Sequence, residues 1–309
     1  MKEIINYYYN FDIDDIEEFE YCYNFLFQRN EYYFVYYNRS IEELDEIIKL
    51  SKYLKEQSID CHEIIINIEK NILTKVGDYN YILLKVTNKD EIFDIFAINE
   101  INNKVIVNNN KSKLNRYNWI DLWIKKVDYY EYQIRELGLE KRAIISSFSY
   151  YIGLAENAIS YANKTISTIP LSNNDRITLS NRRIGYPNIK LNYLNPLSFI
   201  YDFEVRNIAE YLKSIFFFYS TNDAFEELIS YLKIKKLGLF SYQMLYARLL
   251  YPTYYFDIYD QVMNKQKSED EIIKIIKKVQ DYELFLKKAY LEISKYANIE
   301  KIDWIINQH

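Results

Sequence analysis

Residues 147–163 have the sequence SFSYYIGLAENAISYAN, the most informative stretch of the chain. An apolar stripe runs through it at helical spacing, formed by Tyr151, Leu154, Ala158 and Tyr161. This spacing predicts a buried helix. Small residues beside the stripe would let a second element approach closely. Glycine inside a helix costs about 1 kcal/mol relative to alanine, so a packing reason is expected for Gly153.

Two polar residues, Glu156 and Asn157, interrupt the apolar run of this helix. If they are buried they need hydrogen-bond partners, because an unpaired buried polar group costs about 1–3 kcal/mol. On the residues alone, the stretch is a core helix with a few polar anchors.

The composition sets limits on the class of protein. The chain has 309 residues, a net charge of −5 and 49% hydrophobic residues, enough for one large domain or two lobes. No basic stripe dominates, so nucleic acid is not an expected partner. The N-terminus is acidic and no apolar run reaches the roughly 20 residues that span a bilayer, so neither a secretory signal nor membrane insertion is expected.

Tyrosine and cysteine usage add little about function. The 34 tyrosines fit the product of an AT-rich genome, and a crosslinkable or adhesive tyrosine surface is the alternative. Cys22 and Cys61 have no metal-ligand spacing and form no disulfide framework. A reducing compartment, and so synthesis in the cytoplasm, is expected.

The chain divides into a mixed N-terminal part, residues 1–108, and a helical part, residues 109–309. Aromatic runs at 25–27 and 32–37 predict a hairpin around a polar turn, and Ser40 is placed to cap the next helix. A strand is predicted from Tyr79 to Val86. The class is therefore α+β.

The second part is predicted to be mainly helical. Asn118 is a candidate N-cap and Gly138 a candidate C-terminal residue of its first helix. Residues 165–200 break the periodicity and are expected to form loops and short strands. The sequence Ser268-Glu-Asp-Glu271 predicts a capping box that opens one long amphipathic helix ending near Tyr296.

The stretch at 147–163 resembles the signature S-F-P-Y-Y-x-G-L-A-E-N-A-I-Q-Y of the YutH-type endospore coat-associated proteins. This family lies within the aminoglycoside phosphotransferase and choline-kinase-like class. Further segments carry the resemblance: residues 54–86, WIDLWIKKVD at 119–128, VRNIAEY at 205–211, RLLYPTYYF at 248–256 and IDW at 302–304. The resemblance implies a bilobal, protein-kinase-like fold with a small β-rich N-lobe and a larger helical C-lobe.

By this resemblance, a catalytic loop H-x-D-x-x-x-x-N should follow the signature helix. Asn181 occupies the histidine position, Arg183 the aspartate position, and Asn188 stands at the distal asparagine. An arginine cannot accept a hydroxyl proton at pH 7, because its pKa exceeds 12. The resemblance thus implies degenerate catalytic positions, with Glu156 and Asn157 as structural anchors of the loop.

The other parts of a phosphoryl-transfer site are also displaced or missing from the sequence. No glycine precedes Gly77, so no Gly-rich loop can cover phosphates, and Val35 or Tyr36 stands where a lysine is expected. Asp202 and Glu204 could hold a cation, since hard divalent ions prefer carboxylate oxygen. The alternative for Asp202 is a turn or N-cap residue before the helix at residue 205.

Basic residues next to the loop offer an anion site. Arg182 and Arg183, with Lys190, could bind an anionic ligand in the cleft, or they could form a solvated loop.

The sequence therefore predicts a catalytically inactive kinase-like protein with a structural or interaction role, associated by resemblance with the spore coat. Neither ATP nor Mg²⁺ is expected as a cofactor, and the expected partners are proteins, including other coat proteins. Two alternatives stay open: a small-molecule phosphotransferase with displaced catalytic residues, and a regulatory pseudokinase that binds a nucleotide or an anion.

Overall fold

The computed structural model of the protein describes residues 1–19, 22–87, 93–107, 111–137, 140–185 and 193–307. The strands are β1 (Glu17–Phe19), β2 (Cys22–Phe27), β3 (Asn30–Tyr36), β4 (Glu63–Ile65), β5 (Thr74–Val76), β6 (Tyr79–Lys85), β7 (Ile177–Asn181) and β8 (Phe199–Phe203). The helices are α1 (Lys2–Tyr9), α2 (Ile41–Glu56), α3 (Ile95–Lys104), α4 (Trp119–Leu137), α5 (Arg142–Thr168), α6 (Val205–Phe218), α7 (Thr221–Ile234), α8 (Leu239–Leu250), α9 (Thr253–Met263), α10 (Asp270–Ile276), α11 (Val279–Ile293) and α12 (Asp303–Ile306).

The N-terminal lobe is built on an antiparallel sheet with the strand order β1-β2-β3-β6-β4, and β5 pairs with β6. Strands β2 and β3 form the predicted hairpin, in which Phe27 is opposite Asn30. Its turn residues Gln28 and Arg29 both have positive φ angles, 50° and 65°. Such a two-residue turn matches the right-handed twist of the strands it joins. Aromatic side chains alternate along the hairpin, and two of them, Phe25 and Phe34, are buried against α1.

Helix α2 connects the sheet to the rest of the molecule. It begins with a capping box, in which the Glu43 backbone N–H donates to the Ser40 hydroxyl and the Ser40 N–H donates to the Glu43 carboxylate. Its buried residues Ile47 and Leu54 belong to the main core of the helical lobe. Leu197, from the helical lobe, packs into an N-lobe cluster with Leu44 of α2. The two lobes therefore share their apolar packing through α2.

Helix α5 contains the stretch at 147–163 and packs along α8 and α4. Ala155, Ala158 and Ala162 are fully buried, so these small residues provide the close approach that the sequence predicts. The expectation for Gly153 is wrong, because a Cβ atom built there meets nothing within 4 Å. Gly153 is half-buried and lies beside the contact, not in it.

The C-terminal helices differ from the sequence prediction. Two helices, α10 and α11, replace the single helix expected between Ser268 and Tyr296. The predicted capping box is not formed: the N-cap position of α10 is Glu269, and the Ser268 hydroxyl donates to Asp270 at 3.1 Å. The Glu269 carboxylate instead accepts a hydrogen bond from the Ala143 backbone N–H at 3.0 Å, so this side chain makes a tertiary contact with the start of α5. The predicted terminal residue Gly138 lies outside the described residues.

Helix α3 packs with the helical lobe, against α6, α7 and β7, although the sequence assigned it to residues 1–108. Ile106, which follows α3, bridges to Thr178 of β7. The α+β class predicted from the sequence is confirmed. In the described ranges, no helix has both the length and the apolar character that crossing a membrane requires.

Gly153 and Gly77 form a matched pair for a stability test, since a Cβ atom at either position meets nothing within 4 Å. They differ in backbone conformation, because Gly77 has a φ of +60° and Gly153 is helical. We expect Gly153→Ala to raise the free energy of unfolding by about 0.5–1 kcal/mol. Gly77→Ala should lower it by about 1–2 kcal/mol, since alanine is strained in the left-handed region. Urea denaturation measures both, and destabilisation by Gly153→Ala would show that α5 needs the glycine.

Candidate functional site

The paired strands β7 and β8 carry two of the predicted site residues, Asn181 and Asp202, near the junction of the two lobes. Asn181, at the end of β7, pairs with Phe199, and Asp202 of β8 pairs with Thr178. Arg39, which precedes α2, reaches across the junction and donates to the carbonyls of Leu197 and Phe199, both at 2.9 Å. The site therefore lies where the sheet lobe meets the helical lobe.

Asn181 is a buried structural residue. It is 2% exposed, and its Nδ2 donates to the Tyr193 carbonyl at 3.1 Å and to the Ser198 hydroxyl at 2.7 Å. Its Oδ1 accepts from Asn207 Nδ2 at 3.1 Å, and its backbone N–H donates to Asn207 Oδ1 at 3.1 Å. Asn181 thus ties the end of β7 to α6, and both polar atoms of its side chain are used inside the protein.

Asp202 is also fully buried, and donors of the protein surround its carboxylate. Trp119 Nε1 lies 2.8 Å and 3.0 Å from the two oxygens, and Arg206 Nη1 donates to Oδ2 at 2.6 Å. Burial raises the pKa of the Asp202 carboxyl, and the guanidiniums of Arg206 and Arg248 oppose this effect. Burial likewise lowers the pKa of Arg206, to about 10. Asp202 does not cap α6, whose N-cap position is Glu204.

Glu204 faces a different cation. Its Oε2 lies 2.7 Å from Lys235 Nζ, and its backbone carbonyl accepts from Asn102 Nδ2 at 3.2 Å. Burial raises the pKa of Glu204, while Lys235 acts in the opposite direction. The two carboxylates proposed as cation ligands therefore have separate ion-pair partners. No group of three or more His, Cys, Asp or Glu side chains suited to a metal ion occurs in the part of the chain that the structure describes.

A buried network of charges continues from Asp202 into the helical lobe. The Arg248 guanidinium lies over the Trp119 ring, 4.8 Å from its centroid, and its Nε donates to Glu210 Oε1 at 2.8 Å. Lys213 Nζ donates to the same oxygen at 3.0 Å. Burial lowers the pKa of Lys213 to about 8. Although burial acts to raise it, the nearby Lys213, Arg248 and Arg206 hold the pKa of Glu210 well below its usual range.

Sequence reasoning did not assign roles to the members of this network. A signal was nevertheless present, because Trp119, Arg206, Glu210 and Arg248 all lie in the segments that carry the family resemblance. The structure shows that these distant segments meet around one buried charge cluster.

The two adjacent arginines do not form a joint site. Arg183 Nη2 pairs with Asp257 Oδ1 of α9 at 2.8 Å, and this carboxylate raises the pKa of Arg183. Arg182 lies instead in the surroundings of Arg39 and Arg116, on the side of α2. The predicted pair therefore separates into two different environments.

The loop is held by residues other than the predicted anchors. Glu156 is on the exposed face of α5, and Asn157 Nδ2 donates to the Gly153 carbonyl of its own helix at 2.7 Å. Within the described ranges, Asn207 and Ser198 hold Asn181 where Glu156 and Asn157 were expected to act. The predicted positions Asn188 and Lys190 lie outside the described residues.

The family model described as "Spore coat putative kinase YutH" matches residues 2–289. This chain belongs to that family. A similar relative is the endospore coat-associated protein YutH of Bacillus subtilis (strain 168). It is 26% identical over 332 residues, an alignment that covers 99% of this chain and 98% of the relative.

Solved structures confirm the predicted fold. An aminoglycoside phosphotransferase from Alicyclobacillus acidocaldarius has a TM-score of 0.60 at 9% identity, over 93% of this chain and 94% of its own. Spectinomycin phosphotransferase APH(9)-Ia, bound to ADP and spectinomycin, has a TM-score of 0.59 at 11% identity, over 94% and 97%. At such identities the likeness shows the fold alone, which is the bilobal kinase-like fold of aminoglycoside phosphotransferase type.

A double-mutant cycle tests whether Asp202 and Arg206 form a structural pair. We expect Asp202→Asn and Arg206→Met each to lower the free energy of unfolding by about 3–5 kcal/mol, because each leaves a buried partner uncompensated. The double variant should cost less than the sum, by about 1–3 kcal/mol. Urea denaturation at pH 7 measures all four proteins.

The matched control is the partly exposed pair Lys164–Glu300, 2.6 Å apart, for which the coupling should stay below about 1 kcal/mol. The structural role of the Asp202–Arg206 pair would be contradicted if the two single losses of unfolding free energy simply added in the double variant. A gain in stability in Asp202→Asn would also contradict it.

Proposed function

We propose that the protein is a catalytically inactive kinase-like protein with a structural or interaction role in the endospore coat. The observation that carries this proposal is the Asp202 carboxylate, whose oxygens accept hydrogen bonds from Arg206 and Trp119. The coat setting is inferred from membership of the family and from the name of the Bacillus subtilis relative.

The chemistry of phosphoryl transfer supports inactivity. Transfer depends on metal ions that neutralise phosphate charge, on carboxylates that hold them and on a group that orients the hydroxyl. At Asp202 a guanidinium occupies the space next to the carboxylate, so a divalent cation would have to displace a buried ion pair. Arg183, at the position that the resemblance assigns to the base, is always charged and cannot accept a proton.

The connection between the lobes supports a static role. Arg39 binds two carbonyls beside β8, Glu43 pairs with Arg116, and Leu197 packs against α2. Ion pairs and apolar contacts thus fasten the two lobes together. A fixed relative position of the lobes suits a protein that presents a constant surface to protein partners in the coat.

Nucleotide binding tests the proposal directly. We expect ATP with Mg²⁺ to give the same Tm as ATP alone, because Asp202 and Glu204 are each paired with a cation of the protein. Asp202→Asn should leave this null result unchanged. Differential scanning fluorimetry measures the Tm, with spectinomycin phosphotransferase as the positive control. A rise in Tm that requires both ATP and Mg²⁺ and disappears in Asp202→Asn would contradict the proposal.

A further inference from the structure

Arg39, Arg116 and Arg182 come together at the lobe junction, outside the buried network around Asp202. Arg39 and Arg182 bind three successive carbonyls of one segment. Arg39 Nη1 donates to Leu197 and Phe199, and the Arg182 backbone N–H donates to Ser198 at 2.8 Å. The hydrogen bonds of this short segment place the two residues side by side.

In the part of the chain that the structure describes, one carboxylate, Glu43, pairs with two of these arginines. Glu43 Oε1 accepts from Arg39 Nη2 at 3.2 Å and also from Arg116 Nη2. Glu43 Oε2 accepts the Ser40 backbone N–H of the capping box at 3.3 Å. Among these four described side chains, Glu43 supplies one negative charge against three positive charges, so the group carries an excess of about two positive charges.

A second acidic residue of α2, Glu46, has other partners. Glu46, one turn further along α2, is directed to the Ser112 hydroxyl and to the Lys113 backbone N–H. Arg183, next in sequence to Arg182, has its own partner in Asp257.

One buried hydrogen-bond donor at the junction is left without an acceptor in the described part of the chain. The Arg39 side chain is 3% exposed, and its buried Nε has no acceptor among the described residues. The Arg182 side chain is exposed, and its backbone carbonyl accepts from Arg206 Nη2 at 3.4 Å. Loss of hydration and the charges of Arg39 and Arg116 lower the pKa of Arg182. An unpaired buried donor costs about 1–3 kcal/mol, so an acceptor group at this place would be stabilising.

We infer that Arg182, Arg39 and Arg116 form a binding site for a phosphate-type dianion at the junction of the two lobes. Guanidinium groups bind phosphate oxygens through paired N–H donors, and this geometry favours arginine over lysine. A dianion would balance the excess charge and accept hydrogen bonds from the guanidinium groups. The ligand chemistry is that of inorganic phosphate or of a phosphate monoester.

The inference does not depend on the proposed function, because it requires neither Mg²⁺ nor phosphoryl transfer. It regroups the predicted anion site, since Arg182 acts with two residues distant in sequence and Arg183 takes no part. The adjacent Arg183 therefore offers a matched control variant of the same type.

Isothermal titration calorimetry of the full chain with inorganic phosphate, at low ionic strength and pH 7.5, tests the site. We expect binding by the unmodified protein, a loss of affinity of about tenfold or more in Arg182→Gln, and a change within about twofold in Arg183→Gln. The Arg182→Lys variant keeps the charge but loses the paired N–H donors of the guanidinium. Its affinity for phosphate should lie between those of Arg182→Gln and Arg183→Gln. Circular dichroism in phosphate-free buffer shows that each variant is folded.

Further arms distinguish the source of the anion. Binding of O-phosphoserine with the same dependence on Arg182 would identify a phosphate monoester, and binding of inorganic phosphate alone would identify the free anion. The inference is overturned if no phosphate ligand binds, if Arg182→Gln and Arg183→Gln lose affinity equally, or if chloride at equal ionic strength competes as well as phosphate does.

Discussion

The buried ion pair between Asp202 and Arg206 is the interaction on which the helical lobe depends. It joins the end of β8 to the first turn of α6, and Trp119 Nε1 links the same carboxylate to α4. Burying two charges costs free energy of hydration, and their attraction offsets this cost only when both are well paired. Replacing either residue alone would therefore leave the other charge buried without its partner. The position of the paired strands β7 and β8 follows from this requirement.

The same pair explains the difference between the fold and its proposed role. The chain has the bilobal architecture of the aminoglycoside phosphotransferases. Helix α2 contributes to the main core of the helical lobe and to the cluster that Leu197 shares with the sheet. In β8, however, the Asp202 carboxylate accepts hydrogen bonds from side chains of the protein itself. A fold that can carry phosphoryl transfer is here stabilised by charges that face inward.

The sequence predicted the elements whose signals are local. The helix predicted from the spacing of residues 147–163 lies within α5. The hairpin and the Ser40 cap form where the sequence has the residues that their geometry requires. The errors have tertiary causes. Glu269 of the expected C-terminal capping segment is drawn to the start of α5, and Glu156 is exposed on a helix whose other faces are buried. Contacts between residues distant in sequence leave no periodic pattern that could predict them. The hydrogen bonds from Arg39 to the carbonyls beside β8 are an example.

Electron paramagnetic resonance of Mn²⁺ tests the central claim most directly, because it reports whether a divalent ion binds near Asp202. Mn²⁺ is titrated into the protein in the presence of ATP, and the free-ion signal is compared between the unmodified chain and Asp202→Asn. We predict identical titrations, since Arg206 and Trp119 already occupy the carboxylate. One bound Mn²⁺ per chain that is lost in Asp202→Asn would contradict the account.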